Sequence, residues 1–148
     1  MAKIREIGEA ELEAFIGVAE QVMPREDTGG VAGLIDWRRQ AEAMIWLLAE
    51  RDDAVVGAAY ALTGWHTPPH RGIGAALVLP GRRGEGIGDQ LRAVIERWAA
   101  EHGATELEGP VAEEDAASLG WAAARGYEEA GRNSRMVLDL TADRKSVV

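Results

Sequence analysis

The segment Val78-Leu79-Pro80-Gly81-Arg82-Arg83-Gly84-Glu85-Gly86-Ile87-Gly88 passes from an apolar run, through a basic turn with glycine at alternate positions, into an amphipathic stretch. Gly84, Gly86 and Gly88 lack the Cβ that would keep a ligand away from the backbone. Successive amide N–H groups can therefore approach an anion beside the positive end of a helix dipole. With Arg82 and Arg83 at the same place, the segment reads as a strand, a pyrophosphate cradle and a helix.

The flanks support that order. Leu91, Val94, Ile95, Trp98 and Ala99 fall on one face at helical spacing. His102 near the end and Gly103 just beyond supply a dipole-compatible side chain and a left-handed C-terminal residue. Before the turn, Ala75-Ala76-Leu77-Val78-Leu79 is a continuous apolar run between Gly74 and Pro80, as in a strand buried on both faces. A P-loop is excluded, because Gly88 is followed by Asp89 and Gln90 rather than Lys and Ser or Thr. A dinucleotide-binding turn is disfavoured by the Gly-x-Gly-x-Gly spacing and the mid-chain position. The competing bland reading is a tight strand-to-helix connection flanked by two solvated arginines.

Composition sets outer bounds. The chain has 148 residues, enough for one domain, here drawn as 1–141 with a C-terminal tail at 142–148. It has no cysteine, so it offers no disulfide and no thiol nucleophile, and three histidines make a structural zinc site unexpected; no metal is predicted. No apolar run approaches ~18 residues and no signal-peptide core is seen, so no membrane span and a cytoplasmic location are expected. A net charge of −9 argues against nucleic acid or an anionic membrane as partner and fits a cationic acceptor. Acidic residues cluster at Glu106, Glu108, Glu113, Glu114 and Asp115, and again at Glu26-Asp27 and Asp52-Asp53, each cluster reading first as a solvated face.

Along the chain, strands are expected at Ala2 to Ile7, Met44 to Arg51, Ala54 to Leu62, Gly72 to Leu79, Gly103 to Val111 and Arg135 to Leu140. Helices are expected at Glu9 to Met23, from about Val31 to Ala43, and after the cradle. Asp52-Asp53 reads as a hairpin turn. Gly64 to Gly72 holds His66, His70, Trp65 and Arg71, but its prolines and glycines read first as an ordinary exposed turn. After Glu113-Glu114-Asp115, the run Ala116 to Tyr127 reads as an Asp-capped short helix ending at Gly126.

The order Val-x-Pro followed by Arg-Gly-x-Gly-Ile-Gly resembles the acyl-CoA-binding motif of the GNAT superfamily of N-acyltransferases, Arg/Gln-x-x-Gly-x-Gly/Ala, with Arg83, Gly86 and Gly88 in its defined positions. Asp115, Ser118, Trp121, Ala122, Gly126 and Tyr127 are similar to the family's later Asn-x-x-Ala-x-x-Leu-Tyr-x-x-x-Gly-Phe segment. The resemblance spans about residues 45 to 140. It implies a mixed α/β fold whose central, mostly antiparallel sheet is flanked by helices, with strands splayed at the CoA site. It also implies transfer of an acetyl group from acetyl-CoA, by direct attack, to a primary amine of a small molecule, a protein N-terminus or a lysine.

On that resemblance the donor is held by Val78, Arg82, Arg83, Gly84, Glu85, Gly86, Ile87, Gly88, Asp89, Asp115 and Ser118, with Arg92 one helical turn on. The main-chain N–H at Val78 would stabilise the developing oxyanion. Two departures stand out. Ala122 replaces the tyrosine that protonates the departing thiolate in many relatives, and the strand before the cradle lacks the glutamate that often serves as base. Glu108, Glu113 and His66 are the base candidates by location. Those departures also motivate a different class of function, a catalytically silent acyl-CoA-binding domain. One copy of the unit per chain is compatible with pairing as a homodimer.

Overall fold

In the computed structural model, the structure describes residues 2–22, 30–64, 70–110, 128–131 and 135–141, with backbone alone at 110, 128–131 and 135–137. Its elements are β1 (Lys3–Ile7), a 3₁₀ turn (Glu9–Glu11), α1 (Leu12–Val22), α2 (Gly30–Gln40), β2 (Ala43–Arg51), β3 (Ala54–Thr63) and β4 (Arg71–Val78). A second 3₁₀ turn (Pro80–Arg82), α3 (Ile87–Glu101), β5 (Glu106–Pro110), β6 (Glu128–Gly131) and β7 (Arg135–Asp139) follow. One sheet of order β1-β2-β3-β4-β5-β7-β6 results. Every pairing is antiparallel except β4 with β5.

Two apolar layers sandwich the sheet. On one face α3 lays Ile87, Leu91, Ile95 and Ala99 against Leu47, Ala59, Ala61 and Leu107. On the other, α1 and α2 bring Leu12, Phe15, Val18, Ala19 and Leu34 onto Trp46, Leu48, Ala58 and Leu77. Each large side chain buried this way contributes about 1.5–3 kcal/mol. Small residues set the spacing: a Cβ on Gly57 would lie 2.8 Å from the Leu77 carbonyl oxygen and 3.2 Å from a Leu91 methyl. α3 therefore rests almost on the backbone of β3.

The hairpin and the helix end are as expected. Asp52 and Asp53 both take left-handed φ values, 53° and 62°, between β2 and β3. At the end of α3, Gly103 has φ 88°; its N–H donates to the Ala100 carbonyl (3.1 Å), and the Ala104 N–H donates to that of Ala99 (3.0 Å). That is a Schellman closure, with Ala104 and Ala99 buried together.

Several boundaries differ from the sequence reading. The first helix opens with the 3₁₀ turn, where the Glu11 carboxylate accepts two hydrogen bonds from Arg5 of β1. α2 ends at Gln40 rather than Ala43, because the Glu42 N–H is taken by the Thr63 carbonyl at 2.8 Å as the chain enters the sheet. β5 begins at Glu106 rather than Gly103, since Gly103 and Ala104 are used in closing α3. Arg71 belongs to β4 and pairs with Glu106, so it is not a loop residue. The strand Glu128–Gly131, whose limits the sequence did not yield, completes the sheet edge beside β7. Among the described residues, no helix is long and apolar enough to cross a membrane.

Candidate functional site

The site is built where β4 leaves β5. Their parallel ladder consists of Arg71 with Glu106, Gly72 with Leu107 and Ile73 with Glu108. Gly109 and Pro110 remain paired with β7 but not with β4. A Cβ on Gly109 would collide with the Gly74 carbonyl oxygen, so β4 and β5 pass very closely just before they part.

Backbone direction follows from one hydrogen bond. The Leu79 N–H donates to the Val56 carbonyl on the β3 side at 3.0 Å. Successive residues of a strand point their polar groups to alternate edges. The N–H groups of Val78 and Ala76 are therefore turned to the β5 side, beyond the last β4–β5 pair. Val78 itself packs against the α3 layer.

After Val78 the 3₁₀ turn Pro80–Arg82 leads into the glycine array. Gly84 and Gly86 have φ of 86° and 81°, values that L side chains rarely adopt. Neither is crowded: a Cβ at Gly81, Gly84 or Gly86 would meet nothing within 4 Å, so the protein leaves the space over the turn open. Gly86 is the N-cap of α3 and provides no side-chain cap. The first helical bond runs from the Gln90 N–H to the Gly86 carbonyl (3.1 Å), so the N–H groups of Ile87 and Gly88 belong to the first turn, at the positive end of the helix. Open space, left-handed glycines and an uncapped helix start fit a diphosphate.

The cradle side chains divide. Ile87 is 1% exposed and packs in the α3 layer, so only its main chain faces the turn. Arg82 lies 3.5 Å from Glu85. Arg92 bonds Glu96 at 2.5 Å on its own helix and lies 3.8 Å from Asp89 in the first turn of α3. Arg51, a residue the sequence did not single out, reaches the turn and bonds Glu85 at 2.9 Å.

On the opposite side of the fork, Glu106 and Glu108 are not members of a solvated acidic face. Glu106 accepts from Arg71 (2.9 Å) and sits 2.9 Å from His70 Nε2, and those neighbours, Arg71 foremost, hold its carboxyl below the usual range. Glu108 is 5% exposed. Paired beside Ile73, it shares the sheet face on which Ala75, Leu77 and Leu79 meet the α1 and α2 layer. The same face carries Tyr60, with Phe15 edge-on at 6.3 Å and Trp37 of α2 at 6.2 Å. His66, Glu113, Asp115, Ser118, Ala122 and Tyr127 lie outside the described residues. Among the described residues, no group of three or more His, Asp or Glu is placed to hold a metal ion.

Residues 4–127 match the model of the acetyltransferase (GNAT) family. The chain is 28% identical over 137 residues to the aminoglycoside N(6')-acetyltransferase type 1 of Salmonella enteritidis, covering 87% of this chain and 93% of that protein. Its fold superposes on that of yncA from Salmonella typhimurium, solved with its cofactor acetyl-CoA, with TM-score 0.74, 18% identity and coverage of 97% and 96%. It also superposes on AAC(6')-Iy in complex with a bisubstrate analog, CoA-S-monomethyl-acetylneamine, with TM-score 0.69, 27% identity and coverage of 89% and 94%.

Proposed function

Because this chain belongs to the GNAT acetyltransferase family and is thereby an acetyl-CoA-dependent N-acetyltransferase, we propose that its acceptor is the primary amine of a small cationic molecule, with the cradle, Val78 and Glu108 carrying the reaction. The carrying observation is that the β4–β5 ladder stops at the pair Ile73 and Glu108. The gap beyond that pair is where the pantetheine arm would run. There the Val78 N–H, turned to the β5 side, would donate to the thioester oxygen as negative charge develops. The N–H groups from Gly84 to Asp89, with Arg82 and Arg83, would hold the diphosphate.

The acceptor would enter from the α1 and α2 face. Tyr60 and Trp37 present aromatic surface there, and Glu108 adds a carboxylate at the fork, a combination that attracts an ammonium group. The aminoglycoside named for the relatives is of this chemical class. Attack forms the N–C bond and breaks the C–S bond. The amine proton would pass to Glu108, directly or through water, and solvent would protonate the departing thiolate, since Ala122 has no acidic group.

Thiol release from acetyl-CoA, measured across aminoglycosides, polyamines and peptide N-termini, tests the reading. Turnover is expected with small polycationic amines. Donor binding without thiol release for any amine would replace it with a donor-binding domain.

A further inference from the structure

The cradle carries a carboxylate at the place where a polyanion is to bind. Glu85 lies between the two left-handed glycines, and its two oxygens are divided between two guanidinium groups: Oε1 is 2.9 Å from Arg51 Nη1 and Oε2 is 3.5 Å from Arg82 Nε. Arg51 gets there by a specific route. It is the last residue of β2, and the β2–β3 register slips between Ala49 and Glu50, where Val56 is passed over. Such a bulge sharpens the twist and re-aims the strand end. Val56 is also the residue whose carbonyl receives the Leu79 N–H at the head of the cradle, so the bulge ties the hairpin to the turn. All three side chains keep about a third of their surface in water, at 34%, 32% and 34% exposure for Arg51, Glu85 and Arg82. Pairs of this kind are weak enough to exchange.

We propose that Glu85 is an internal counter-ion of the donor site. In the free protein it occupies Arg51 and Arg82, and the phosphates of CoA take its place, which makes Arg51 a donor-binding residue contributed by the hairpin. This deepens the acetyl-CoA reading and rests on it. Glu85 then weakens donor binding twice, by competing for the arginines and by repelling phosphate. It also offsets the mutual repulsion of the two cations when no donor is present.

Calorimetric titration of the full chain with CoA, for wild type, Glu85→Gln, Arg51→Gln and the double variant, tests this. Glu85→Gln is expected to tighten CoA binding about three- to tenfold, and Arg51→Gln to weaken it about threefold or more in both backgrounds. Both changes are expected to shrink as salt rises from about 20 mM to about 500 mM, with melting temperatures near wild type, as a purely structural effect would not. Wild-type binding that Glu85→Gln leaves unchanged or weakens, or that Arg51→Gln leaves unchanged, overturns the inference alone. Absence of wild-type CoA binding overturns the donor reading beneath it.

Discussion

Ile73 is the last residue of β4 paired with β5, and its partner Glu108 is a carboxylate only 5% exposed. The point where the sheet opens and a nearly buried carboxylate are thus one place. Glu108→Gln keeps the shape and removes the charge. If Glu108 receives the amine proton, kcat/KM for the best acceptor falls by about 10²-fold or more while the Kd for CoA is unchanged. Steady-state kinetics beside calorimetry separates the two quantities.

The fork depends on how closely the strands pass before it. Gly109→Ala would drive a Cβ into the Gly74 carbonyl, a backbone atom that can yield only if the strands separate early. A destabilisation of about 1–3 kcal/mol is expected, typical of inserting an atom into a packed site. Urea unfolding monitored by tryptophan fluorescence checks it.

Much of the donor half was legible because it is contiguous. The apolar run before Pro80, the alternating glycines and the spacing of Leu91, Ile95 and Ala99 all lie within one stretch whose local conformation they dictate, and Gly103 marks the helix end by its own φ. What was not legible is long-range. Arg51 and Glu85 are 34 positions apart and meet through a register slip that no periodicity announces. Glu106 and Glu108 look like a solvated face in the sequence because what surrounds them there, Arg71 and Ile73, comes from a strand more than thirty positions away. Ile87 lies at an undefined position between Gly86 and Gly88 of the motif, and its side chain is taken by the core.

The hairpin turn is strained by its residue choice. Asp52 and Asp53 both sit at positive φ, a conformation that glycine adopts without a Cβ clash. Asp53→Gly is expected to stabilise the protein by about 0.5–1 kcal/mol, the relief of the left-handed strain less the added freedom of the unfolded chain. The change should appear as a higher urea midpoint with the slope unaltered.

Acid should act through two carboxylates. Arg5 holds Glu11, and Arg71 with His70 holds Glu106, below the ordinary value of 4.5. Because the folded protein binds those protons less readily than the unfolded chain, both pairs stabilise above pH 4.5, and the contribution is lost as pH falls through the lower folded values. The melting-temperature gap between wild type and Glu106→Gln should be present near neutral pH and close progressively below 4.5. A gap that widens as pH falls below 4.5 contradicts the assignment.

The central claim is that the main chain after Val78 holds the acyl donor. The most direct measurement is a titration of isotope-labelled protein with acetyl-CoA, following backbone amide chemical shifts. The largest saturable shifts are expected at Gly84 to Asp89 and at Ala76 and Val78, with little change along β1 at the far edge of the sheet. Saturable binding whose shifts fall elsewhere, or no binding at all, contradicts the account.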